Sequence, residues 1–311
     1  MSHSSSRSKN ARVRRSTLPL FLIALPGMLY LFINNYVPLF GLFIAFKDYK
    51  FSKGIWKSRW CGLRNFRFLF VSDDALIITR NTLLYNLAFI LLSTFAAVFV
   101  AILLFELGQR RRTKFFQNAL LFPHLISWVV ASYLFYALMN SSNGFINNSV
   151  FPVLGLETFD WYAAKKYWPF ILTFIYLWKH TGYNAIVYLA SISGISKELY
   201  EAAEIDGTTR LQQIRYITLP MLRPTVMVMM LMAVGRVFYS DFGLFYQIPM
   251  DSGQLYSVTQ TIDTYVYRAL MTNGNFTLSA AAGFYQSVCG FILILTVNGL
   301  VRRFDAENAL F

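Results

Sequence analysis

Six long apolar stretches, 18–46, 83–106, 119–140, 168–193, 221–243 and 280–301, dominate the chain and leave it little choice of solvent. A helix needs about 20 mostly apolar residues to cross the hydrocarbon layer of a bilayer, and each stretch meets that length. None alternates polar and apolar residues as a barrel strand does, and backbone inside lipid must satisfy its own hydrogen bonds, so each predicts a helix. The expected fold is all-α, a polytopic membrane bundle of six transmembrane helices. With 56% hydrophobic and 14% charged residues, a water-soluble chain of this size could not hide so much apolar surface in one core.

The formal net charge of +13 comes from short basic clusters beside the apolar runs rather than from one polar face, which speaks for membrane topology and against nucleic-acid binding. Residues 1–16 form a basic tail, and the stretch behind them is too long for the apolar core of a secretory signal, about 7–15 residues, so it reads as a retained first span. Residues 17–311 then make one membrane domain. The tail, Arg110-Arg111-Arg112-Thr113-Lys114, the segment around Arg210 and Arg215, and Arg302-Arg303 fall on one side of a six-crossing chain, which places both termini in the cytoplasm. The loop from Lys47 to Arg80 dissents, because it puts eight Lys/Arg outside. Two other outer segments, 141–167 and 244–277, are rich in Asn, Ser, Tyr and Gly, and suit a surface that meets sugar or a docking protein.

Between the fourth and fifth spans, about 194–220, lies the most informative polar segment. Residues 197–206 contain good helix formers and no Gly or Pro, and set Leu199, Ala202, Ala203 and Ile205 beside acidic groups, which predicts a short helix. Gly207 stops it, since glycine takes a left-handed terminus without steric cost, and Pro220 is expected to open the next helix. A small-faced acidic helix held rigidly outside the lipid fits a groove on another protein. Glu201 and Asp206 can accept charge-assisted hydrogen bonds there. The competing reading, an amphipathic helix resting on headgroups, calls for a basic polar face that this helix lacks.

Glu201-Ala202-Ala203, Asp206, Gly207, nine further residues and then Ile217-Thr218-Leu219-Pro220 resemble the EAA loop of permease subunits from binding-protein-dependent ABC importers. Thr208, where Ala is usual, and Ile214, where an aromatic is common, depart from that pattern. Further stretches resemble the sugar-uptake branch, the LplB-like oligosaccharide permeases: Leu25-Pro26-Gly27, Ile44 to Tyr49, Gly62 to Phe66, Trp178 to Asn184 and Ile262 to Arg268. The resemblance implies a bacterial plasma-membrane subunit with no catalytic role and no cofactor of its own. ATP and Mg would be bound by two copies of a partner ATPase. A second related permease and an extracellular solute-binding lipoprotein would complete the importer, and Glu201, Ala202, Ala203, Asp206, Gly207, Ile217, Leu219 and Pro220 would form the coupling surface.

Charged and polar groups inside spans are expensive and therefore candidates for function. Lys179 and His180 lie deep in the fourth span, and Arg236 and Asp241 in the outer half of the fifth. With Tyr183, Asn184, Tyr188, Tyr239 and Gln286 they can line a wet path in which aromatic faces and amides meet sugar hydroxyls. Equally, Lys179 or Arg236 can pair with Asp241 or with helix carbonyls and lock the bundle. No GxxxxGK[ST] phosphate loop, GxSxG, HExxH or Cys/His ligand set occurs, so the chain reads as a subunit powered by a partner. An ion-coupled carrier and a non-transporting sugar receptor are the alternatives. Six spans without an inverted repeat weigh against the first, and a receptor needs no coupling helix.

Overall fold

The computed structural model describes residues 19–108 and 110–304. The basic tail and the last seven residues lie outside that range. The first element, α1 (Pro19–Phe46), changes winding as it goes, through a π turn over Phe32–Tyr36 and a 3-10 stretch over Val37–Phe46. A two-residue pairing of β1 (Lys47–Asp48) with β2 (Arg59–Trp60) folds the following loop back on itself. Helix α2 (Asp74–Glu106) then runs 33 residues, beginning well before the apolar stretch that marks it in the sequence. Its polar first turns are buried by protein: Asn81 donates to Gln260 O at 2.9 Å, and Thr82 Oγ1 accepts from the Ile262 amide at 3.0 Å.

The third apolar stretch is not one helix. α3 (Arg110–Leu125) and α4 (Trp128–Met139) meet at a 94° bend, where Pro123 weakens the end of one helix and Ser127 caps the start of the next by accepting from the Val130 amide. α5 (Trp168–Ser193) follows, then the short α6 (Lys197–Ile205). α7 (Arg210–Val234) begins about ten residues before Pro220, which therefore does not open it. A π turn over Ile214–Thr218 precedes Pro220 and widens the winding where that residue has no N–H to give. The same helix stops at Val234 instead of running to 243, and α8 (Phe242–Gln247) starts afresh beyond a turn. α9 (Ile262–Met271) and α10 (Phe276–Phe304) complete the chain.

Among the described residues, four helices, α1, α2, α7 and α10, are long and apolar enough to cross a bilayer, and the bent α3/α4 pair makes a fifth candidate. α5 has the length, 26 residues, but carries Lys179, His180 and Asn184 near its middle. It packs against α2 and α3, which are among its most extensive neighbours. Small residues make that close approach possible. Ala97 and Ala101 of α2 face Ala185 of α5 in one core cluster, and a Cβ on Gly182 would lie 1.9 Å from the Leu120 carbonyl oxygen. A second cluster joins Phe89, Phe135, Trp168, Leu172 and Phe245 toward the other end. α1 is different: none of its most apolar window is buried, and it touches the bundle mainly through Ala45 and Phe46 at its end.

Candidate functional site: a broken-helix cavity and an exposed helical turn

Two helix breaks face each other inside the bundle. At the first, between α3 and α4, the carbonyls of His124 and Ile126 have lost their helical partners, and that of Pro123 keeps only a 3.3 Å turn bond from the Ile126 amide. Lys179 supplies the missing donor. Its ammonium, on a side chain 6% exposed, donates to Pro123 O at 3.2 Å, to His124 O at 3.1 Å and to Ile126 O, and sits 4.9 Å from the Trp128 ring centroid. Of the two readings open for Lys179 in the sequence, the geometry displays the helix-carbonyl lock.

The second break runs from Gly235 to Asp241. Its backbone is held from a distance: Asn86 Nδ2 donates to Val237 O at 2.8 Å, and Gln286 Nε2 to Phe238 O at 2.7 Å. Asp263 accepts from the Ser240 amide and hydroxyl, both at 2.7 Å, and from Gln286 at 3.0 Å. Asn86 lies three residues, about 5 Å at 1.5 Å per residue, inside the apolar stretch of α2, so this irregular backbone lies beside the apolar part of that candidate span. Non-helical backbone survives there only when protein buries it or when it lines a wet cavity. Trp128 packs on Gly243 so tightly that an added Cβ would come within 2.0 Å of the ring, and His180 Nε2 lies 3.5 Å from Asp241 Oδ2 without a hydrogen bond. Those contacts join the two breaks.

Beside the second break, against α2 and α5, opens a cavity of about 460 Å³. Four of the nine expected path residues line it, His180, Arg236, Tyr239 and Asp241, together with Asn86, Tyr176 and Ser240, which the sequence reading missed. The other five sit elsewhere. Lys179 caps the first break. Tyr188, 2% exposed, belongs to the α2/α5 core, and Gln286 is buried between Phe238 and Asp263. Tyr183 stacks on His124 at 4.5 Å, and Asn184 is partly exposed on the same helix. The Arg236 side chain makes no ion pair or hydrogen bond among the described residues, and Arg236 lines the cavity. The signal that would have found Asn86 was available, since an amide inside an apolar span needs a partner as much as a charge does.

The outer segments are less open than their composition suggests. Asn147 is buried, donating to the carbonyls of Asn140, Ser141 and Phe159. Arg268 donates through Nε to Asp251 Oδ1 at 2.7 Å, with its guanidinium 3.9 Å from the Tyr256 ring centroid. Burial pushes the Tyr256 phenol above its ordinary range, with Arg268 opposing and Asp251 adding to the shift.

At the other end of α7 the polar loop is a folded unit. Ser196 caps α6, Asp206 closes it and Gly207 takes φ +75°. Thr208 has a use that Ala would lack: its hydroxyl donates to Ala203 O at 2.7 Å. Thr209 and Gln212 form a capping box that starts α7, and Arg210 reaches back to Glu204 at 3.0 Å. Tyr200 anchors the turn to the bundle through a 3.0 Å hydroxyl contact with Thr218 and a ring contact with Phe105 at the end of α2. Glu201, Ala202, Asp206, Gly207, Leu219 and Pro220 are exposed, and Ala203 and Ile217 are half-buried. Ile205, Leu211 and Tyr216 are 87%, 76% and 69% exposed, an apolar face with nothing over it among the described residues.

Residues 10–306 match the family described as binding-protein-dependent transport system inner membrane component. The chain belongs to that family. It is 32% identical over 294 residues to Protein LplB of Bacillus subtilis (strain 168), covering 93% of this chain and 90% of that one. It is also 31% identical over 289 residues to YteP of the same organism, a polygalacturonan/rhamnogalacturonan transport system permease, covering 93% of this chain and 89% of that protein. Among solved structures, a chain of a bacterial ABC transporter that imports the acidic polysaccharide alginate superposes with a TM-score of 0.86 at 28% identity, over 96% of this chain and 99% of that one. A second structure of a bacterial alginate ABC transporter, in complex with a pentasaccharide-bound periplasmic protein, gives 0.84 at 28% identity, over 94% of this chain and 97% of the matched chain. This permease is a multi-pass membrane component of a transport system, as its apolar helices require.

Proposed function

We infer that this permease is one of two related transmembrane subunits of an ATP-driven bacterial importer of oligosaccharides. α6 is its coupling helix, seated in a groove of a separate ATPase that binds ATP and Mg. The observation that carries the reading is the rigid α6 turn, braced by Thr208, Arg210 and Tyr200, which presents acidic groups beside uncovered apolar ones. Such a turn passes a rigid-body movement of its partner into α7, and α7 ends at the cavity beside the second break. Six crossings, with α5 as the fourth and both termini in the cytoplasm, put α6 on the cytoplasmic side and α8 and α9 under the docking site of a solute-binding lipoprotein.

The cavity suggests the cargo. The Arg236 side chain has no partner among the described residues, Tyr239 offers an aromatic ring, and Asn86 and Ser240 offer polar edges. This set fits a saccharide, and the free guanidinium favours one bearing carboxylates. Relatives that carry polygalacturonan, rhamnogalacturonan and alginate agree with that chemistry.

The decisive experiment is a pull-down of tagged permease from native membranes, wild type against Glu201→Ala and Gly207→Pro, followed by ATPase assay. Recovery of an ATPase and a second permease with the wild type, and loss of binding or turnover in the variants, supports the reading. Recovery of no ATPase, with normal transport by the variants, makes an ion-coupled carrier the better account. Arg236→Gln is expected to weaken uptake of uronate-containing oligosaccharides more than of neutral ones. Equal loss for both removes the acidic cargo.

A further inference from the structure

The basic loop between α1 and α2, which contradicts the charge bias of the other loops, is a folded platform. Lys47 Nζ donates to Ile55 O at 2.8 Å and to Trp56 O at 3.3 Å, and Asn65 Nδ2 donates to the carbonyls of Ala45 and Lys47, both at 2.9 Å. Ser58 ties back to Gly54 O at 2.6 Å, and Phe68 stacks on Tyr265 of α9. Two kinds of side chain stand out from this frame. Phe51, Trp56, Trp60, Leu63 and Phe70 are 83%, 71%, 58%, 72% and 87% exposed. Lys50, Lys53, Lys57, Arg59 and Arg67 are exposed among them and make no side-chain hydrogen bond or ion pair among the described residues. From residue 47 to 72 there are seven Lys/Arg against Asp48 alone, and Asp48 is taken by Arg64 at 3.4 Å.

We propose that residues 49–71 form an in-plane foot that binds the anionic phospholipid headgroups of the outer leaflet. The foot is continuous with a membrane-facing surface: Trp56 contacts Phe40 and Phe43 at 6.0 and 6.3 Å, and Trp60 contacts Phe43 at 6.0 Å, all on the last turns of α1, whose apolar window is unburied. Indole rings at the end of a span belong at headgroup depth. Cations interleaved with exposed aromatics suit a surface that offers phosphates and acyl chains side by side. Each such cation near an anionic surface strengthens partitioning roughly fivefold. The foot also accounts for the dissenting charge: these cations occupy a folded surface element rather than a free loop.

The leaflet rests on the six-crossing reading, and the test separates the two. The complete importer, with Cys61→Ser and Cys289→Ser, receives a fluorophore at Phe70→Cys and is placed in nanodiscs of phosphatidylcholine with or without phosphatidylglycerol. Quenching by brominated lipid, protection from aqueous iodide, and retention of phosphatidylglycerol that is lost in a Lys50→Gln, Lys53→Gln, Lys57→Gln, Arg59→Gln, Arg67→Gln variant are expected. The substituted side chains are all exposed, and unchanged ATPase activity in detergent confirms an intact assembly. Iodide quenching without lipid quenching overturns the proposal, as does protection that arises only when the solute-binding lipoprotein is added, which would mark a protein-docking surface. In sealed vesicles, an impermeant thiol reagent should reach Ser52→Cys from outside. Labelling from inside alone, with lipid quenching retained, overturns the leaflet and the crossing scheme but leaves headgroup contact standing.

Discussion

α7 begins and ends at two turns held together in opposite ways. At its start, every hydrogen-bond and ion-pair brace comes from nearby in the chain, Thr208 to Ala203, Thr209 to Gln212, Arg210 to Glu204 and Tyr200 to Thr218, and only the Tyr200 ring reaches further, to Phe105. At its end, the Gly235–Asp241 turn is held by Asn86 from α2, Asp263 from α9 and Gln286 from α10, with His180 of α5 beside Asp241. The first turn can be specified by one short run of sequence and left exposed to meet a partner. The second exists only when four helices have assembled, and the cavity it borders is a property of the whole bundle.

That contrast sets the order of expected damage. Asp263→Ala strips acceptors from the Ser240 amide and hydroxyl and from Gln286 at a half-buried site, and is expected to destabilise the subunit by about 3 kcal/mol. Thermal unfolding of the detergent-solubilised importer reads this. A loss under about 1 kcal/mol would show that the distal turn does not depend on distant partners after all. Lys179→Met keeps the length of the side chain but leaves the carbonyls of His124 and Ile126 without a donor and that of Pro123 with the Ile126 amide alone, at about 2–3 kcal/mol. An unchanged melting temperature would mean that the α3/α4 break is pinned by packing alone.

The same contrast explains what could be read from the sequence. The α6 turn was legible down to its stop at Gly207, because helix formers, a terminal glycine and a fixed spacing act within a few residues. The helix start near Pro220 was misplaced: a proline announces a missing N–H, but the π turn that accommodates it leaves no such mark. Hydropathy located the apolar stretches, yet it was blind to breaks inside them. Ile126-Ser127 and Gly235–Asp241 are apolar enough to pass as helix until Lys179, Asp263 and Gln286 are seen to satisfy the freed backbone. Lys179 and Gln286 stand out in the sequence as polar residues in apolar stretches and were expected on the path, but the structure spends them on backbone, and their partners were out of reach of any local rule.

Gly182→Ala probes the helix crossing beneath the cavity. Its new Cβ would meet the Leu120 carbonyl, backbone that cannot swing aside, so α3 and α5 must separate, at about 1–3 kcal/mol. Because the break and Lys179 lie just beyond this crossing, uptake should fall further than stability alone explains. Equal losses in both would confine Gly182 to packing.

The smallest effect sharpens the comparison from the other side. Thr209→Ala removes the side-chain half of the capping box at the start of α7, worth about 1 kcal/mol in an exposed helix. Because the neighbouring braces at Thr208, Arg210 and Tyr200 remain, the folded permease should melt almost as before. What should change is the angle at which α6 is held, and so the tightness of its grip on the ATPase. We therefore expect normal assembly with ATP turnover less tightly tied to uptake, measured as hydrolysis per sugar transported in proteoliposomes. If turnover and uptake fall together, the cap acts through stability, and the proximal turn is then no more a self-contained unit than the distal one.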